Sequence, residues 1–367
     1  MSKKRVAKVI AFLVVFVLLF LMCSMIFITN SNNTRNIRGI YAENEDSVDV
    51  LLVGASSVKT NFAPALAYQN YGFTSFALSF DGTAFEMLET LTKESLQYQS
   101  PEVVLIDLKP VTAAVTNQKA RAVIDNIRWS DNKREAIEKY ASEDSKISFY
   151  LTLDKYHSRW KDISSVLGYY YLTVEEAMKY DFLSQYSLKE IFVDKKHPLK
   201  GFYTSSVIQS VDMYKAYEEV TEKEKISESS ETALYEIMDY FKENNVNAVF
   251  YISPMCYYEG LLTEHKYPQK LNYAKEIVES NGFECLDFRT AEHVEKMNLD
   301  YSTDFGDYLH MNVNGALKFT EYLSSYLKER YDLPDHRGES AYEEEWQRSV
   351  ECMANVIEYC KNNVSYK

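Results

Sequence analysis

Two short stretches of this 367-residue chain combine residue types suited to nucleophilic chemistry. The first is Gly54-Ala55-Ser56-Ser57-Val58, directly after a mostly apolar run at 48–54. A serine at the carboxyl end of a first parallel strand lies where open α/β sheets put their ligand sites, and helix-start amides just beyond it can stabilise a developing oxyanion. The second is Asp307-Tyr308-Leu309-His310. An imidazole is a natural general base for a serine hydroxyl near neutral pH, and a carboxylate three residues away can fix its tautomer. Each stretch alone has a plainer explanation: Ser56 or Ser57 caps the next helix, Asp307 closes a turn, and His310 is solvated in its loop. Their occurrence in one chain favours the chemical reading.

These residues need a scaffold, and the apolar patterning supplies one. VDVLLVG (48–54) reads as a strand buried on both faces, TSFALSF (74–80) as a second and PEVVLIDL (101–108) as a third, with a helical stretch from about 83 to 97 between the last two. Strand, loop, helix, strand is a βαβ pattern. From about 111 to 228 the rhythm loosens into tyrosine-rich, charge-mixed helices and loops, an insertion expected to cover or shape the site. It resumes where Leu234, Ile237, Met238 and Phe241 mark the buried face of a helix. VNAVFYIS (246–253) is the next strand, followed by a helix near 267–280, the short strand FECLDF (283–288), the loop carrying Asp300, Asp304, Asp307 and His310, and a helix at 315–330. Trp346, Val350, Met353, Ile357 and Cys360 form one stripe, so 339–367 is expected to hold a terminal amphipathic helix packed on the domain.

Residues 7–28 are almost unbroken apolar sequence behind Lys3, Lys4 and Arg5. Twenty-two residues suffice to span a bilayer, and the preceding positive charge predicts a cytoplasmic N-terminus (1–6), a signal anchor (7–29) and an extracytoplasmic remainder. A polar stalk at 30–47 would lead into a domain at 48–338. The net charge of −14 argues against a nucleic-acid partner. Cys256, Cys285, Cys352 and Cys360 lack zinc-site spacing, so no metal is expected; free core thiols and one or two disulfides both remain open.

Together the two stretches resemble the SGNH/GDSL hydrolase superfamily. Gly54-Ala55-Ser56 matches its first block, Gly82 in ALSFDG its second, and Asp307 to His310, followed by Asn314-Gly315-Ala316, its last. The resemblance covers roughly 48–110 and 231–331, leaving the insertion unmatched. It implies a three-layer α/β/α, flavodoxin-like fold with a mostly parallel sheet, and a triad of Ser56, Asp307 and His310 with the Ser56 and Gly82 amides as oxyanion donors. The family's third block, Gly-x-Asn-Asp, is absent: the third strand runs on through Asp107-Leu108-Lys109-Pro110, putting Lys109 about where the asparagine donor would stand. A lysine there could serve an oxyanion or be a surface residue.

Membrane anchoring with a degenerate third block resembles the subgroup that acylates cell-surface polymers, including proteins of teichoic-acid D-alanylation and exopolysaccharide acetylation. That implies a serine esterase or O-acyltransferase acting on acetyl or D-alanyl esters of a surface glycan or teichoic acid, with a membrane-bound O-acyltransferase as partner and no cofactor. The alternative is a catalytically silent scaffold of the same fold, since fold does not guarantee chemistry.

Overall fold

The computed structural model describes residues 3–27, 32–151, 161, 163–209 and 220–366. Seven strands are β1 (Val50–Gly54), β2 (Ser75–Ser79), β3 (Val103–Asp107), β4 (Val207–Ile208), β5 (Ala248–Ile252), β6 (Cys285–Asp287) and β7 (Ser365–Tyr366). Five of them form one parallel sheet in the order β2-β1-β3-β5-β6. The chain leaves β1 for one edge, then returns past it to build the other side. Such a reversal leaves a crevice beyond the carboxyl ends of the central strands.

Both faces of the sheet are apolar because both are covered. Val50 and Leu52 of β1 pack with Val58, Phe62, Phe319 and Leu323, while Leu51 and Val53 pack with Met87, Leu88, Leu234 and Ile237 on the opposite face. The molecule is thus a mixed α/β protein with a parallel sheet. Gly54 matters at the strand end: a Cβ there would sit 2.6 Å from the Asp107 Cβ and 2.6 Å from the Val58 Cγ2, so only glycine lets β1, β3 and the following helix converge.

The Lys3–Phe27 helix carries a segment, Lys3–Cys23, with mean hydropathy 3.0 and no burial against the rest of the chain. It is long and apolar enough to cross a membrane. Residues 28–31, where the expected span ends and the stalk begins, lie outside the described residues. Beyond them the stalk expectation fails. Asn32–Gly39 is a helix followed by a 3-10 turn at Ile40–Ala42, and Ile37 and Ile40 are buried. The buried amide of Asn36 donates to the carbonyls of Ala77 (2.9 Å) and Gly201 (2.8 Å), and its oxygen accepts from the Ser79 amide (2.9 Å). A polar segment becomes part of the core because its amide group satisfies edge-strand backbone that would otherwise lie open.

The insertion contains helices at Asn117–Ile124, Asp131–Tyr140, Lys146–Tyr150, Ile163–Lys179 and Leu188–Phe192; its residues 152–160, 162 and 210–219 lie outside the described residues. Its segment 199–209 runs back over the domain and contributes β4, which pairs in parallel with β7. The terminal helix, Glu343–Asn362, buries Trp346, Cys352, Met353, Val356 and Cys360, with Trp346 stacked on Tyr68 at 5.0 Å. All five cysteines are free thiols.

Candidate active site

Ser56 is the first residue of the Ser56–Asn61 helix, immediately beyond β1. Its Oγ lies 2.6 Å from Nε2 of His310. On the other side of the ring, Nδ1 lies 2.8 Å from both carboxylate oxygens of Asp307. Oδ1 of Asp307 also accepts from the amides of Leu309 (2.9 Å) and His310 (3.0 Å), so the loop holds its own carboxylate in place. Burial alone would raise the Asp307 pKa, but the His310 contact and these amides outweigh it and hold the carboxyl below the ordinary value. A tautomer with the proton on Nδ1 leaves Nε2 free to accept from the serine.

Several contacts fix the position of this loop against the Ser56–Asn61 helix. The Met311 amide donates to Oδ1 of Asn61 (3.1 Å), whose own amide donates to Ser253 Oγ (3.0 Å). Asn312 caps the Val313–Arg330 helix, accepting from the Asn314 amide at 2.9 Å, and donates to the carbonyls of Thr303 (2.7 Å) and Val207 (3.1 Å). The imidazole is therefore carried on a braced turn.

Ser57 faces the other way. It is buried, and its hydroxyl donates to Asp107 at the end of β3. Burial pushes the Asp107 carboxyl above its ordinary range, against the opposing pull of Lys109 and Ser57.

Lys109 is neither the surface residue nor the unengaged ammonium that its place in the sequence left open. Its side chain is buried, and its ammonium donates to the carbonyls of Pro254 (3.1 Å) and Leu309 (3.3 Å), beneath the turn that carries His310. Burial pulls its pKa down to about 8. Two carbonyls claim the charge that would otherwise be free to face a reacting oxygen. Gly82 stands in a turn with φ of +62°, exposed and next to Asp81.

Ser56 and His310 open into a cleft of about 290 Å³, whose walls include Lys59, Asp81, Tyr203 and Thr204. A larger groove of about 610 Å³, lined by Tyr71, Lys318 and Tyr322 among others, contains neither residue. The Lys59 ammonium pairs with Asp81 at 2.7 Å, lies 3.3 Å from Oδ1 of Asn33 and sits 5.3 Å from the Tyr203 ring centroid. Sequence reasoning missed these residues. Lys59 had a readable signal, since a residue three positions after Ser56 on a helix shares its face. Tyr203 and Thr204 had none: they arrive from the far end of the insertion, where the Tyr203 amide donates to the Lys59 carbonyl (2.8 Å) and the Val313 amide to the Ser205 carbonyl (3.1 Å).

Among the described residues no cluster of His, Cys, Asp or Glu could hold a metal ion. The residues present can perform proton transfer between a hydroxyl and an imidazole oriented by a carboxylate. No protein-family model matches the chain, and no curated protein matches it.

Proposed function

We propose that the protein is a membrane-anchored serine esterase or O-acyltransferase of the three-layer SGNH type, acting on acetyl or D-alanyl esters of a cell-surface polysaccharide or teichoic acid. The observation that carries this reading is the unbroken contact from Ser56 Oγ through the His310 ring to Asp307, open to a cleft at the carboxyl end of β1. Sheet order and helices on both faces fit the same family.

Ser56 Oγ attacks the ester carbonyl carbon while its proton passes to Nε2 of His310. By the family resemblance, the oxyanion that forms is held by the amides of Ser56 and Gly82. The C–O bond to the leaving alcohol breaks, that oxygen takes the proton from His310, and an acyl-Ser56 ester remains. Water or a sugar hydroxyl, deprotonated by the same imidazole, then attacks the acyl carbon and restores the serine. The insertion segment 203–207 forms one wall of the cleft, and its exclusion of water governs the choice between hydrolysis and transfer. The domain works outside the cell membrane, behind a cytoplasmic N-terminus, with a membrane-bound O-acyltransferase as partner.

A fluorophosphonate probe applied to the detergent-solubilised chain tests this directly. Wild type should label; Ser56→Ala should not, and His310→Ala should be nearly as impaired, with kcat on a simple ester falling by about a million-fold for either. Asp307→Asn should lose less, roughly ten-thousand-fold. A folded wild type that never labels would leave a silent scaffold as the surviving reading.

A further inference from the structure

The segment at 203–207 does more than close a wall. It is anchored at two points that bracket Thr204. On one side, the Tyr203 amide is bonded to Lys59, one helical turn beyond Ser56; on the other, the Ser205 carbonyl is bonded to Val313, three residues beyond His310. Thr204 is therefore suspended between the nucleophile helix and the imidazole loop. Among the described residues it is the one that both lines the cleft and carries a buried side-chain oxygen with no hydrogen-bond partner. Its exposure is 5%.

A buried hydroxyl without a partner is destabilising, and valine would fill the same space without the unsatisfied group. Lys59, Thr60 and Asp307 in the cleft are already engaged, Lys59 with Asp81, Thr60 with the Ser56 carbonyl at 3.1 Å and Asp307 with His310, whereas the Tyr203 and Ser205 hydroxyls are not sealed from solvent. The third strand, meanwhile, brings no asparagine to the site, and the Lys109 ammonium is directed to two backbone carbonyls. We infer that Thr204 is a substrate-binding residue whose hydroxyl donates a hydrogen bond to an oxygen of the bound ester, making the insertion part of the catalytic site. The hydroxyl, sealed in the free protein, reaches that oxygen by turning about its Cα–Cβ bond into the cleft, so the missing partner arrives with the substrate.

This inference rests on the serine-esterase reading, and the test separates the two. Full-length wild type, Thr204→Val and Thr204→Ser are compared in detergent for p-nitrophenyl acetate hydrolysis, fluorophosphonate labelling and thermal midpoint. Thr204→Val should lower kcat/KM by about tenfold, the scale of one hydrogen bond, while its thermal midpoint stays the same or rises. Thr204→Ser should retain most activity. Unchanged kcat/KM in a labelled, folded Thr204→Val would overturn the role of Thr204 and leave Ser56 untouched. Loss of activity in step with a falling midpoint would assign the hydroxyl a structural bond and overturn it as well. A wild type that neither labels nor turns over ester removes the serine reading and this inference with it.

Discussion

Adjacent serines in this chain meet two different carboxylates, and the contrast separates a hydroxyl–imidazole–carboxylate chain open to a cleft from a direct buried contact. Ser56 reaches Asp307 through an imidazole, in a region where the His310 and Asp307 side chains are 29% and 42% exposed. Ser57 meets Asp107 directly, with no base between them and no access from solvent. Serine and aspartate thus meet across an imidazole in one place and by a direct core hydrogen bond in the other. Position along a helix start decides which: Ser56 ends the strand-to-helix transition over the cleft, and Ser57 points back between β1 and β3.

The sharpest way to break this comparison is to remove each hydroxyl in turn. Ser56→Ala should abolish ester hydrolysis with little change in stability, whereas Ser57→Ala should keep most activity and lose about 1–3 kcal/mol of stability, because Asp107 is left with one fewer donor in a buried place. Measuring turnover and chemical denaturation on both variants decides it, and activity that survives in Ser56→Ala but vanishes in Ser57→Ala would reverse the assignment.

A smaller effect tests the link between the two regions. Lys109 stands on the Asp107 side, yet its ammonium supports the Leu309 carbonyl, next to His310. Lys109→Met should destabilise the fold by about 3 kcal/mol, as expected when one partner of a buried charge network is removed. Under conditions where it remains folded, it should still label with fluorophosphonate, since the lysine touches no reacting atom. Complete loss of labelling in the folded variant would mean that the two regions are not separable.

The smallest effect is on the pH dependence of stability, where the two carboxylates act in opposite directions. In an unfolded chain an aspartate titrates near 3.9. Asp107 is raised in the fold by burial, so its contribution is full below about pH 3.9 and is lost as pH rises through the folded value. Asp307 is lowered by its partners against the pull of burial; its contribution is present above about pH 3.9 and is lost as pH falls through the folded value. Thermal midpoints followed across pH should therefore lose part of their alkaline-going decline in Asp107→Asn and part of their acid-going decline in Asp307→Asn. Identical profiles for the two variants would erase the distinction.

Local pattern made much of the framework readable. The five strands of the main sheet fall inside the apolar runs expected for them, and the Tyr267–Ser280 helix has the expected ends, because burial on two faces writes itself into consecutive residues. That Ser56, His310 and Asp307 would meet was also legible, since loops at strand ends leave few residue types able to do this chemistry. Non-local placement was not. Asn36 reads as one polar residue among many until its amide is seen on Ala77, Gly201 and Ser79. Lys109 could be located along the third strand, but its direction depends on carbonyls more than a hundred residues away. Thr204 carries no pattern at all, because its place is set by hydrogen bonds of its neighbours to Lys59 and Val313.

Asn33 has a consequence for where the protein can operate. Only residues 28–31 separate the apolar helix from the helix that begins at Asn32, and a fully extended chain bridging that gap reaches no more than about 17 Å. Just past it, the Asn33 side chain accepts from the Lys59 ammonium and the Asp81 amide, tying the root of the domain to the rim of the cleft. With the apolar helix in a bilayer, this is a short leash. A cleft so tethered would work within a thin layer above the lipid headgroups and would meet its targets by diffusion in that plane.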